Sequence, residues 1–161
     1  MKTKTTFFLS SAIIALMILF TACSPEGQVY KDFQSTGLDS EWPNTKVPTF
    51  SFEITEPAQS YDVLLGVRYA KGFPYTQLKV NVRMKIPSGM VKDIPVEVQI
   101  RDKAGEYLGD VMGDVGDIEM NIQTGKVFLE KGKYEYTVTS MMPVEPVPMI
   151  LEIGLIVKKG E

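Results

Sequence analysis

From residue 50 the chain alternates apolar and polar side chains, with Phe50, Phe52 and Ile54 set against Ser51, Glu53 and Thr55. Successive side chains of an extended backbone point to opposite faces, so this period of two predicts a strand with one dry and one wet side. The alternation returns in Tyr61, Val63, Leu65, Val67 and Tyr69, in Val80, Val82, Met84 and Ile86, and in Val96, Val98 and Ile100. It returns again in Ile118, Met120 and Ile122 and in Tyr134, Tyr136 and Val138. Ile150 to Val157 is more continuously apolar, as a strand in the middle of a sheet or covered on both faces should be. Turn-forming groups separate the runs: Lys71-Gly72-Phe73-Pro74, Pro87-Ser88-Gly89, Lys103-Ala104-Gly105, Gly113-Asp114, Thr124-Gly125, Lys131-Gly132 and Pro143 to Pro148. Breakers about every 8–12 residues with no helical apolar stripe predict an antiparallel β-sandwich of Greek-key or jelly-roll type, about eight or nine strands and little helix. A closed barrel is the second choice. The dry faces nominate Phe52, Val63, Leu65, Val67, Val82, Val98, Tyr136 and Val138 for the core.

The N-terminus follows another pattern. Lys2 and Lys4 precede an apolar run from Phe7 to Phe20, then Thr21-Ala22 and Cys23, the only cysteine. About 14 apolar residues span ~21 Å as a helix, short of the ~30 Å hydrocarbon core, so the run predicts a cleaved signal rather than a permanent span. Cys23 is placed as the lipidated first residue of the mature chain, with Phe20 where leucine usually stands three positions earlier. The alternative is cleavage near Ala22 with a free thiol, a liability in an oxidising compartment. Residues 24–48 are polar and punctuated by Pro25, Gly27, Gly37, Pro43 and Pro48, a tether running into an irregular arm. The predicted organisation is therefore residues 1–22 signal peptide, 23–48 lipidated cysteine, tether and N-terminal arm, and 49–161 β-sandwich. Ser24 in place of a retaining Asp, with a single carboxylate at Glu26, predicts an outer-membrane lipoprotein facing the periplasm.

Charge and chemistry narrow the function. Removing the signal takes Lys2 and Lys4, leaving 15 of 17 basic residues against 20 acidic ones and moving the net charge from −3 to −5. No basic cluster exceeds Lys158-Lys159, so neither nucleic acid nor an anionic lipid surface has a linear footprint, and membrane binding is assigned to the acyl chains on Cys23. There is no histidine, which excludes Ser-His-Asp and Cys-His nucleophile systems and every histidine-ligated metal site. No cofactor and no metal are expected.

Three groups are candidate sites. Trp42, Tyr69, Phe73 and Tyr75 could form a platform for a partner or a sugar ring; alternatively Tyr69 ends the inward row of its strand while Phe73 and Tyr75 plug the end of the sandwich. Asp110, Asp114 and Asp117 could gather round Ca²⁺, but their spacing fails the EF-hand pattern, so solvated turn carboxylates are expected. A glycosidase pair would need two of them facing across about 5–9.5 Å. Met141 to Met149, with prolines at 143, 146 and 148, reads as a connector, with an edge or a docking strip as alternatives.

Five blocks in order carry a resemblance: Tyr69-Ala-Lys-Gly-Phe-Pro-Tyr-Thr-Gln-Leu78, Gly105-Glu-Tyr-Leu-Gly109, Gly116-Asp-Ile118, Glu130-Lys-Gly-Lys-Tyr134 and Glu152-Ile-Gly-Leu-Ile-Val-Lys158. Together with the lipoprotein signal they resemble the gliding-motility lipoproteins called GldH, over roughly residues 28 to 158. The chain departs from that pattern at Thr76-Gln77, Tyr107 and Met142, where the family prefers Ser-Asn, Trp and a basic residue. The resemblance implies a Bacteroidetes cell-envelope lipoprotein associated with the gliding machinery and the protein secretion linked to it, and implies no known enzymatic activity; the expected role is a non-enzymatic accessory or scaffold. The resemblance carries over no catalytic residue. A carbohydrate-binding envelope lipoprotein is the alternative.

Overall fold

The computed structural model describes residues 27–160, so the expected signal peptide and Cys23 lie outside the described residues. Among these the chain forms eleven strands and no helix. In order they are β1 (Gln28–Ser35), β2 (Glu41–Trp42), β3 (Thr49–Ile54), β4 (Ser60–Ala70), β5 (Gln77–Lys85), β6 (Val91–Gln99), β7 (Asp110–Met112), β8 (Val115–Val127), β9 (Gly132–Ser140), β10 (Val147–Pro148) and β11 (Ile150–Lys159). Nine of them have three residues or more, in line with the period-two runs. One sheet has the order β1-β11-β4-β8-β7, a second β3-β9-β5-β6, and β2 pairs with β10 alone. Every pairing is antiparallel.

The alternation decides which faces meet. Tyr61, Val63, Leu65, Val67 and Tyr69 of β4 and Ile153, Leu155 and Val157 of β11 turn inward onto Phe50, Phe52 and Ile54 of β3, Tyr134, Tyr136 and Val138 of β9 and the inner rows of β5 and β6, giving one core. All eight residues nominated for that core are buried. β11 lies between β1 and β4, and its outward Ile156, beside Leu64, is buried too, which explains its continuous apolar run. All the described strands pair with one another around this one core, so a chain beginning at Ser24 contains every described strand.

The segment expected to be an irregular arm is, from Gln28 on, an edge strand. β1 pairs with β11 from Gln28↔Lys158 to Ser35↔Glu152. Its inward positions are Tyr30, Asp32 and Gln34, and this mostly polar row hid it from a period-two search. Three contacts outside that pattern hold it. Tyr30 meets Phe52 at 5.4 Å. The Gln34 amide donates to Thr49 O at 2.7 Å and accepts from Thr49 N–H at 3.1 Å, joining β1 to β3 across the sandwich edge. On the outer face the Phe33 ring lies against Gly66 and Gly154, where a Cβ on either glycine would come within 2.5 Å of it.

The sandwich has two unlike ends. At the proximal end Gly27 meets Lys159 (Lys159 N–H to Gly27 O, 2.7 Å), beside the turns 55–59, 86–90 and 128–131. The distal end holds the loops 36–48, 71–76, 100–109 and 141–149.

Candidate functional site

The candidate rings converge on the distal end, but not as a platform. Trp42, Tyr69 and Phe73 are buried and Tyr75 is half-buried. Trp42, Tyr69 and Phe73 close the core where the strands run out, as the plug reading has it for Tyr69 and Phe73, and leave no open platform. Trp42 lies where β2 meets β10, its indole N–H donating to Lys46 O at 2.7 Å. Tyr69 is the last inward residue of β4; its ring occupies the space a side chain at Gly116 would need, and its hydroxyl donates to Leu108 O at 2.7 Å. Burial pushes that hydroxyl above the usual tyrosine value.

A pair outside the candidate set organises this end. Tyr107 stacks on Tyr69 at 5.7 Å, and the Arg101 guanidinium lies 4.7 Å over the Tyr107 ring. Arg101 Nη2 donates to Phe73 O at 2.6 Å and to the Tyr107 hydroxyl at 2.9 Å, and that hydroxyl also accepts the Gly72 N–H at 2.7 Å. The Gly72 donor, and after it the Arg101 charge, pull Tyr107 below the ordinary tyrosine value. The backbone N–H groups of Ile100 and Arg101 both reach Thr76 O. The loop after β6 is thus clamped to the turn after β4. Tyr107 falls inside one of the five resemblance blocks, which was its only signal; Arg101 had none, because its role depends on a neighbour brought in by the fold.

The segment 141–149 forms a strap over the same end. Val147 is buried against Trp42's strand, Met149 N–H donates to Ser40 O at 2.7 Å, and Asn44 N–H donates to Glu145 Oε1 at 2.8 Å.

The three carboxylates of the acidic stretch do not gather at one point, although Asp110 and Asp117 are neighbours. Asp117 is held by Arg68 (Nε to Oδ1, 2.8 Å), which also reaches Glu152 at 2.8 Å, and Asp110 lies opposite Asp117 in the β7–β8 ladder. Among the described residues no group of three His, Cys, Asp or Glu side chains is placed to hold a metal ion. A hollow of about 600 Å³ beside Arg68 includes Lys31, Phe33, Asp110 and Glu119 in its lining; Lys31 and Glu119 bond each other at 2.9 Å. What the distal end offers is a fixed surface. Its loops and strand ends carry Asp39, Glu41, Asp102, Glu106, Asp110, Asp114, Asp117, Glu145 and Glu152 against Lys46, Arg68, Lys71, Arg101 and Lys103. Leu38 (86% exposed), Met112 (81%) and Met141 stand out among them.

The sequence profile of the GldH lipoprotein family matches residues 28–157, from the first strand to the last. The chain belongs to the GldH lipoprotein family. It is therefore a lipoprotein of the cell envelope, held at a membrane. The gliding motility lipoprotein GldH homolog of Christiangramia forsetii is 24% identical over 155 residues, covering 92% of this chain and 93% of the relative. Gliding motility lipoprotein GldH of Flavobacterium johnsoniae is 25% identical over 126 residues, covering 78% of this chain and 76% of the relative. Solved structures resemble this GldH-family sandwich only loosely. A serine protease of Aeromonas sobria matches 91% of the chain over 29% of its own length, at 13% identity and a TM-score of 0.38. A family GH115 4-O-methyl-alpha-glucuronidase matches 87% over 19%, at 12% identity and 0.42.

Proposed function

We propose that this chain is a non-enzymatic accessory or scaffold lipoprotein of a gliding-motility apparatus and of the protein secretion linked to it. Acyl chains on Cys23 hold it in the outer membrane, facing the periplasm, and its acidic distal end docks envelope motility and secretion proteins. The supporting observation is the distal end itself. Trp42, Tyr69 and Phe73 are turned into the core and Arg101 Nη2 bonds Phe73 O and Tyr107, and what remains outward is an acid-rimmed surface with exposed Leu38, Met112 and Met141. Confinement to two dimensions raises the effective concentration of such a surface near membrane-embedded partners. The carbohydrate-binding alternative loses its platform, since Trp42, Tyr69 and Phe73 are buried.

The test is complementation of a deletion strain. Cys23→Ser is expected to leave an unprocessed precursor that incorporates no labelled palmitate and restores neither surface spreading nor enzyme secretion. Leu38→Glu with Met112→Glu should incorporate palmitate and reach the outer membrane in normal amount, yet fail to restore spreading. Full spreading with both variants would overturn the proposal. Protease added to intact cells should leave the domain whole; shaving without permeabilisation would reverse the orientation.

A further inference from the structure

The proximal end carries a footprint that the linear sequence hides. No run of basic residues is longer than two, but the fold brings Lys85, Lys92, Lys126, Lys131 and Lys159 round the turns beside Gly27. The turns are tied into one end: Ala58 N–H donates to Phe128 O at 3.0 Å, Ser88 N–H to Glu130 Oε2 at 2.9 Å, and Gly125 N–H to Asp62 Oδ1 at 2.8 Å. Among the described residues Lys85, Lys92, Lys126 and Lys131 make no ion pair. Of the acids in these turns, Glu56 is paired with Lys159 at 3.3 Å, while Glu130 keeps its charge and accepts from the Ser88 N–H and hydroxyl. Glu135 stands opposite Lys85, Glu53 opposite Lys133 and Asp62 opposite Lys158 in the strand ladders, so the lysines at this end still outnumber the carboxylates. At the tips, Leu129 is 81% and Met90 68% exposed, with Val91, Val127 and Val29 partly exposed behind them. Apolar tips ringed by unpaired lysines are the chemistry that suits the headgroup region of an anionic bilayer, whereas the acidic distal end would be repelled there.

Gly27 at this end is four residues from Cys23, a reach of at most about 14 Å at ~3.3–3.6 Å per residue. We propose that the proximal end docks on the bilayer, with Leu129 and Met90 entering the interface and the lysines meeting anionic lipid headgroups, so that the sandwich stands upright on the membrane. The short tether in this account rests on the Cys23 anchor proposed above, and the experiment separates the two.

The chain from Ser24 onward, tethered by an N-terminal hexahistidine tag to nickel-chelating lipid in phosphatidylethanolamine–phosphatidylglycerol vesicles, is labelled with a polarity-sensitive fluorophore at Leu129→Cys or at Met112→Cys. This tether is independent of acylation. Quenching by a lipid-borne quencher should be about twofold or more stronger at position 129 than at position 112, with a blue-shifted emission, and should weaken in Lys85→Glu with Lys131→Glu or in phosphatidylcholine vesicles. Equal quenching at the two positions, or a difference insensitive to lysine charge, would overturn the docking. The acylated protein purified from its own envelope is then incorporated without the tag; failure of that step alone would count against the anchor and leave the tagged result standing.

Discussion

Tyr136 puts a hydroxyl into the core, where it donates to Gln123 Oε1 at 2.8 Å across the gap between the sheets and lies 3.0 Å from Met84 Sδ. Tyr136→Phe removes the donor and leaves the half-buried Gln123 oxygen without this partner, so it should lower stability by about 1 kcal/mol in a denaturant titration. Burial raises this hydroxyl well above the ordinary tyrosine value of 10.0. The folded chain therefore holds the proton more firmly than the unfolded one, and the associated stability is complete below about pH 10 and lost as the pH climbs further. Thermal melts above pH 10 should fall more steeply for the wild type than for Tyr136→Phe. Asp93 works in the opposite sense. Its bonds to Arg83, first, and to Asn81 pull its carboxyl down to about 2. Any stability it lends is present above the ordinary carboxylate value of 3.8 and fades as the pH falls toward 2. An NMR titration of Arg83→Ala should find the Asp93 midpoint moved up toward 3.8; an unmoved midpoint would deny Arg83 the leading role.

β1 shows how far an element can be read before its neighbours are known. The central strands were legible because a buried face must be apolar, and Val63, Leu65 and Val67 on β4 or Val80 and Val82 on β5 repeat that requirement every second residue. β1 satisfies a different one. It has a single neighbour strand, and its place depends on Phe33 meeting Gly66 and Gly154, residues 33 and 121 positions away, and on Gln34 reaching Thr49. No local window contains those partners. Gly154→Ala should therefore cost about 1–3 kcal/mol through overpacking against the ring. Combined with Phe33→Ala the penalty should be well below the sum of the two single losses, a coupling readable from a double-mutant cycle. Strict additivity would mean that Gly154 is glycine for some other reason.

At the scale of the whole molecule the two ends differ in sign, and this is where the sequence was least informative. A net charge of −3 over 161 residues averages away an acidic distal rim and a basic proximal one. Each rim draws on segments scattered through the chain, so only the strand order gathers them. The distal rings failed as a legible site for a related reason: Trp42, Tyr69 and Phe73 look alike in sequence whether they cover a core or meet a ligand, and only the closure of the strand ends over them decides it.

The direction of β1 has a mechanical consequence. The chain enters the sandwich at Gln28, at the proximal end, and β1 runs from there toward the far loops, bonded to β11 through seven register pairs. A pull applied between the N-terminal side of Gln28 and the distal loops acts along β1 and slides it past β11. Antiparallel hydrogen bonds stand perpendicular to the strands, so such a pull strains the whole row at once instead of opening it bond by bond like a zip. The Phe33 ring, seated over Gly154 of β11 and Gly66 of β4, is a detent on that sliding path.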